Sequence, residues 1–173
     1  MDKPKLTIII PAYNEINTIQ NLINKISNLK IDKQIILIDD NSNDGTNEII
    51  KKNNDKIDKI IIHNENKGKG AAIKSAQKFV EGKYVVIQDA DLEYNPEDLY
   101  SLLDEIEKNN RKVVYGSRVL NNPQNKKSQN FSHSLRIVGN IFLTKFSNIL
   151  NKQKLTDAHT CYKVFDSELF KSI

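Results

Sequence analysis

The feature that most constrains this chain is a regular alternation of short β-branched runs with segments of helical period. Leu6 to Ile10 is a continuous apolar run, as expected of a strand buried on both faces. Ile16, Ile19, Leu22, Ile23 and Ile26 then recur on one helix face. Ile35 to Ile38 reads as a second strand ending at Asp39-Asp40. Asp44-Gly45-Thr46 turns into a helix with Ile49 and Ile50 inward. Ile57 to Ile62 predicts a third strand. Gly68-Lys69-Gly70 breaks the chain before a helix carrying Ala71, Ala72, Ala76, Phe79 and Val80. Tyr84 to Ile87 is a fourth strand that runs into Gln88-Asp89-Ala90-Asp91. Pro96 opens the next helix, with Leu99, Leu102, Leu103 and Ile106 inward, and Val113 to Tyr115 is a fifth strand. This order predicts an α/β chain: a mostly parallel, Rossmann-like sheet with helices on both faces. Ligands of such sheets bind beyond the carboxyl ends of the strands. The polar residues at odds with a buried strand stand there: Pro11 to Glu15, Asp39-Asp40, Asp89 and Asp91.

Beyond Arg118 the pattern changes. Residues 119–131 are largely polar with one proline and predict a mobile loop. Residues 132–150 predict an amphipathic helix with Ile137, Val138, Ile141, Phe142, Phe146, Ile149 and Leu150 apolar. It reads either as a core helix or as one lying against a membrane surface or a lipid acceptor. At 173 residues the chain is sized for a single domain, 1–173. No run approaches the roughly 20 apolar residues of a membrane span, and no secretory signal follows Met1-Asp2-Lys3. One cysteine, Cys161, excludes an internal disulfide and a cysteine-based zinc site, and it fits a reducing, cytoplasmic setting. The net charge of +4 comes with only three arginines, Arg111, Arg118 and Arg136, and scattered lysines. A nucleic-acid interface would cluster arginine among aromatics, so no nucleic-acid partner is expected.

Asp89 and Asp91 are separated by one residue just past a buried strand, where two carboxylates can converge on one hard cation, Mg²⁺ or Mn²⁺. The plain alternative is an acidic turn capping the next helix. Asp39 and Asp40 could accept a nucleobase N–H at a strand end, or cap their own loop. Gly68-Lys69-Gly70 would let backbone or the Lys69 amine approach a phosphate. It is not a Walker A loop, and no Gly-x-Gly-x-x-Gly follows the first strand, which counts against a dinucleotide oxidoreductase. No serine nucleophile elbow is present. Among the histidines, His63 reads as structural or solvated, His133 lacks a partner at ligand spacing, and His159 stands close to Asp157.

Six segments in order resemble the family-2 glycosyltransferases of GT-A fold, and more narrowly the dolichyl- or polyprenyl-phosphate sugar synthases. They are Ile8 to Glu15, Ile38 to Thr46, Asn66 to Ala72, Gln88 to Tyr94, Val113 to Arg118, and Leu155 to Lys163. The resemblance implies an inverting transfer of a hexose from a nucleotide-diphosphate sugar, of GDP-mannose or UDP-glucose type, to a polyprenyl phosphate. A surface-glycan hydroxyl as acceptor, or nucleotide-sugar binding without turnover, are the alternatives. Pro11, Tyr13 and Glu15 would line the nucleoside pocket, Asp40 with Asp39 would contact the base, and Lys69 would approach phosphate. Asp89, Asp91 and Glu93 would hold Mg²⁺ or Mn²⁺, with Asp89 also near the donor diphosphate. Glu93 stands where many relatives carry Gln. Arg118 and Arg136 would meet the acceptor phosphate, and Asp157 would stand near the acceptor as a base. The 132–150 helix would then be an acceptor or membrane-side element at the cytoplasmic face. Relatives continue past the point where this chain stops, at Phe170-Lys171-Ser172-Ile173, so a C-terminal truncation is expected.

Overall fold

The computed structural model describes residues 3–117, 131–158 and 160–173, and for 131–138 the backbone only. Arg118, the loop expected at 119–131 up to residue 130, and His159 lie outside the described residues, as do the side chains of His133 and Arg136. Two compact units are distinguished: residues 1–114 with 164–173, and residues 115–163.

In the first unit, β1 (Leu6–Ala12), β2 (Lys33–Asp39), β3 (Lys59–Ile62) and β4 (Tyr84–Ile87) are the strands expected from the apolar runs. They alternate with α1 (Ile19–Ser27), α2 (Thr46–Lys52), α3 (Lys69–Ala76) and α4 (Leu99–Lys108). Next come β5 (Val113–Tyr115), α5 (Phe131–Asn151), β6 (Lys163–Asp166) and α6 (Ser167–Ser172). The sheet order is β3-β2-β1-β4-β6-β5. β1 pairs in parallel with β2 and β4, and β2 with β3, whereas β4 and β6 are antiparallel. The sheet is therefore mostly parallel and flanked by helices.

The apolar runs are buried because both sheet faces are covered. Ile9, Ile36, Ile38 and Val85 pack with Ala72 and Ala76 of α3 and with Phe170 of α6. Ile8 and Ile10 have the opposite parity along β1, face the other side, and are also fully buried. α1 turns Ile19, Leu22, Ile23 and Ile26 inward, as its spacing predicts. Gly82, just before β4, is required by close approach: a Cβ there would stand 2.5 Å from Thr7 N.

β1 is hydrogen-bonded to β2 on one side and to β4 on the other, so chain direction through the sheet reverses at β1. A crevice opens at such a switch point, beyond the strand carboxyl ends.

Candidate functional site

Two loops meet at that switch point and are stitched to each other. After β1, Asn14 takes a left-handed conformation (φ 55°), which asparagine tolerates better than most residues. Its N–H donates to Ser42 Oγ at 3.0 Å, and its Oδ1 accepts from Asn43 N at 3.0 Å. Glu15 N donates to Thr46 Oγ1 at 2.8 Å and Ile16 N to Asp44 Oδ2 at 3.0 Å. The Glu15 carboxylate accepts from Thr18 Oγ1 at 2.7 Å and so steadies the entry to α1. Burial pushes the Asp44 carboxyl up, but hydrogen bonds from the Thr46 hydroxyl and N–H and from Ile16 N outweigh it. The group sits below the usual carboxylate range.

The stitched loops form one wall of an open cavity of about 250 Å³. Pro11, Tyr13, Glu15, Asp40, Lys69, Asp89 and Asp91 all line it. Seven predicted site residues, drawn from four separate stretches of sequence, thus face one space. A second hollow of about 270 Å³ lies at the opposite, amino-terminal ends of the strands, lined by Lys5, Asp32 and Tyr100 among others. Size does not separate the two. The convergence of carboxylates and lysine at the carboxyl ends does.

Of the residues predicted to hold the donor or the metal, two stand apart from the cavity lining. Asp39 is fully buried, its Oδ1 accepting from Ser42 N at 3.1 Å and its Oδ2 from Asn47 Nδ2 at 2.6 Å. It shapes the loop that Asp40 reaches past. Adjacent strand residues point to opposite faces, so only one of the two carboxylates can turn into the crevice. Glu93 is exposed and is not among the cavity's lining residues, although its N–H donates to Asp91 Oδ1 at 3.0 Å.

Asp40 is buried, at 3% relative exposure, and densely bonded. His63 Nδ1 donates to Oδ1 at 2.6 Å, Lys67 N to Oδ1 at 3.0 Å, and Gly68 N to Oδ2 at 2.7 Å. Burial raises its pKa, but the Lys67 N–H, the His63 ring and the Gly68 N–H together hold it below the usual range. His63, expected from the sequence to be structural or solvated, is structural and held against Asp40. Its Nε2 is 3.1 Å from Ser75 Oγ. Its partners lie 23 and 12 residues away along the chain, at no local spacing that could reveal them.

Lys69, the first residue of α3, pairs with Asp89 Oδ1. Among the described residues no group of three or more His, Cys, Asp or Glu side chains forms a metal cage. The donor set is nevertheless suited to a hard cation held jointly with a diphosphate. Mg²⁺ in particular takes one or two carboxylates plus phosphate oxygens rather than an all-protein cage. Asp89 and Asp91 supply two carboxylates on one cavity wall.

In the second unit, Asn148 of α5 clasps the chain after the helix. Its Nδ2 donates to Leu155 O at 2.8 Å and its Oδ1 accepts from Leu155 N at 2.9 Å. Ala158 N donates to Thr144 Oγ1 at 3.2 Å, and the Thr156 hydroxyl bonds Ser117 Oγ at 2.8 Å. Asp157 is buried within this clasp. The Thr-Asp motif therefore lies beside Ser117, the residue that precedes Arg118. Arg136 belongs to α5 by its backbone.

Residues 7–173 match the family model described as glycosyl transferase family 2. The UDP-N-acetylglucosamine–dolichyl-phosphate N-acetylglucosaminyltransferase of Methanococcus voltae is 32% identical over 95% of this chain and 70% of its own length. The low-salt glycan biosynthesis hexosyltransferase Agl6 of Haloferax volcanii is 31% identical over 98% of this chain. The chain spans only 40% of that relative. Among solved structures, the mannosyltransferase PcManGT of Pyrobaculum calidifontis, in complex with GDP-Man and Mn²⁺, superposes with a TM-score of 0.71 at 19% identity. That superposition covers 99% of this chain and 47% of the other, and it establishes a shared GT-A fold.

Proposed function

The chain belongs to glycosyl transferase family 2, and from that premise we propose that it transfers a hexose from a nucleotide-diphosphate sugar to a polyprenyl or dolichyl phosphate with inversion. The observation that carries this reading is the shared cavity wall of Asp40, Lys69, Asp89 and Asp91 at the switch point. It offers an acceptor for a base, a cation for phosphate and two carboxylates for a divalent ion. The Methanococcus relative, named for a nucleotide-sugar donor and a dolichyl-phosphate acceptor, supports the choice of acceptor.

The donor lies across the strand ends with its base toward Asp40 and its diphosphate toward Lys69. Asp89 and Asp91 would hold Mg²⁺ or Mn²⁺. When bound, the ion neutralises charge developing on the leaving diphosphate. Lys69 pairs with Asp89, and on donor binding its amine turns to the phosphates. An acceptor phosphate oxygen attacks the anomeric carbon from the face opposite the leaving group. The bond to the donor diphosphate breaks, and its electron pair leaves with the nucleoside diphosphate. Because a phosphate monoester is already anionic, positioning outweighs proton removal, and Arg118 with Arg136 fits that role. A hydroxyl acceptor would instead need a base, for which buried Asp157 is the candidate.

The second unit supports a membrane-side role for α5. Its polar residues Thr144 and Asn148 are tied to its own chain, while Phe142 (67% exposed), Phe146 (53%), Ile149 (76%) and Leu150 (64%) are open. An ordinary amphipathic helix of a water-soluble protein presents the reverse arrangement. Phe142 and Phe146 stack with ring centroids 6.5 Å apart. Between Glu107 and Asp157 the sequence has ten lysines and arginines and no acidic residue. An apolar stripe in a wholly basic segment suits an anionic lipid surface. No helix among the described residues is long and apolar enough to cross a membrane, so the contact we propose is peripheral.

The test is transfer. The chain is incubated with Mn²⁺, radiolabelled UDP-glucose, UDP-N-acetylglucosamine or GDP-mannose, and dolichyl or undecaprenyl phosphate, and the lipid phase is counted. Label is expected in the lipid from one donor class and is expected to disappear in Asp91→Ala. Donor binding without transfer to any lipid phosphate would refute the acceptor assignment. Asp157→Asn then separates the chemistries: a modest fall in rate fits a phosphate acceptor, and near-abolition with unchanged binding fits a hydroxyl.

A further inference from the structure

Asp40 reaches the cavity with most of its hydrogen-bonding capacity already in use. An ionised carboxylate has about four lone-pair sites, two on each oxygen. Oδ1 accepts from His63 Nδ1 at 2.6 Å and Lys67 N at 3.0 Å, so it is full. Among the described residues, Oδ2 accepts from Gly68 N alone, at 2.7 Å, and keeps one open site. The carboxyl sits below its usual pKa range and is an acceptor only at neutral pH. The His63 ring is held at its other end by Ser75 Oγ, which itself donates to Ala72 O at 2.8 Å. With side chains 10% and 4% exposed, this pair leaves little room for water to replace either partner.

We propose that Asp40 offers a nucleobase one acceptor site and thereby selects a keto-pyrimidine, uracil or thymine, over guanine, with His63 as the positioning residue that enforces the choice. This rests on the reading of Asp40 as the base contact. Guanine presents N1–H and N2–H side by side, and a carboxylate matches them only with both oxygens open. Here the second donor meets a saturated oxygen or must displace His63. Cytosine points the N3 lone pair at the carboxylate and is repelled. Uracil presents a single N–H between two carbonyls and suits the single open site.

The experiment is calorimetric titration of the chain with UDP, CDP and GDP in the presence of Mn²⁺. UDP is expected to bind at least about tenfold more tightly than either of the others, the scale set by one unmatched buried polar group. His63→Leu removes the donor and opens Oδ1, so the UDP-to-GDP affinity ratio should fall toward one. His63→Asn, which places an amide N–H close to the lost Nδ1–H, should restore the ratio. A merely structural histidine would weaken all three nucleotides together. If His63→Leu does not fold, as judged by circular dichroism, Ser75→Ala loosens the ring without removing it and should lower the same ratio less. Equal UDP and GDP affinity, or a guanine preference, in the unsubstituted chain overturns the base selection. An unchanged ratio in the folded variants overturns the part given to His63. If none of the three nucleotides binds, the reading of the cavity as a nucleotide site falls, and the selection falls with it. UDP–GDP parity leaves that reading intact.

Discussion

Asp39 and Asp40 show how far single residues could be read. The pair of carboxylates at a strand end was legible as a base contact or a loop cap, and the structure gives the two neighbours different surroundings. Asp39 ties the loop through Ser42 and Asn47, and Asp40 faces the cavity. The alternation of side chains along a strand already implied that both could not do the same work. The partners of His63 were not legible, because they come from the residue just after β2 and from α3 and not from its own segment. Asp40 also sets a pH dependence. A carboxylate whose folded pKa lies below its ordinary value of 3.8 stabilises the fold fully above that value. The contribution is lost as pH falls through the folded pKa. Melting temperature should therefore decline below about pH 4, and Asp40→Asn should flatten that acid limb. Truncation is harsher: Asp40→Ala leaves the Lys67 N–H and the His63 Nδ1–H without their acceptor and is expected to cost about 1–3 kcal/mol in denaturant unfolding. Lys69 competes with any cation for Asp89. Lys69→Gln should tighten Mn²⁺ binding in the absence of nucleotide, yet weaken nucleoside diphosphate binding, both read by calorimetry.

Among the elements, the four parallel strands and the helices between them follow directly from apolar runs and helical spacing. β6 did not, because four residues, Lys163-Val164-Phe165-Asp166, carry no periodic signal of their own. They form a strand because the edge of β4 supplies antiparallel partners, with Val86 opposite Val164. α1 behaves as its pattern requires, and Leu22→Ala, at a fully buried position, should destabilise the fold by about 2–5 kcal/mol in chemical denaturation. α5 is the opposite case: its hydrophobic residues were legible, but whether they turned inward was not. Because Phe142, Phe146 and Ile149 are open, replacing Phe142 and Phe146 with serine should change stability by no more than about 0.5 kcal/mol per site. The same substitutions should sharply reduce co-sedimentation with vesicles containing anionic lipid. Undiminished co-sedimentation would remove α5 from the membrane reading.

At the scale of the whole molecule, the position of the crevice follows from topology: β1 lies between β2 and β4, and no single motif encodes that crossover. The opposite end of the sheet is closed by backbone packing. Thr7 Oγ1 donates to Gln34 Oε1 at 2.7 Å and accepts from Gly82 N at 2.9 Å. Gly82→Ala must displace the β1 backbone and should cost about 1–3 kcal/mol. At the carboxyl ends, a nucleoside diphosphate with Mn²⁺ at one hundred times its dissociation constant should add about 2.7 kcal/mol of stability, seen as a rise in Tm. EDTA should cancel most of that rise if Asp89 and Asp91 hold the ion. The stitching of the β1–α1 loop to the β2–α2 loop, from Asn14, Glu15 and Ile16 to Ser42, Asn43, Asp44 and Thr46, has a kinetic consequence. A wall already joined before the nucleotide arrives has no slow ordering step to complete. Stopped-flow association should then be a single exponential whose observed rate climbs linearly with nucleotide concentration, without the plateau that a rate-limiting rearrangement of this wall would impose.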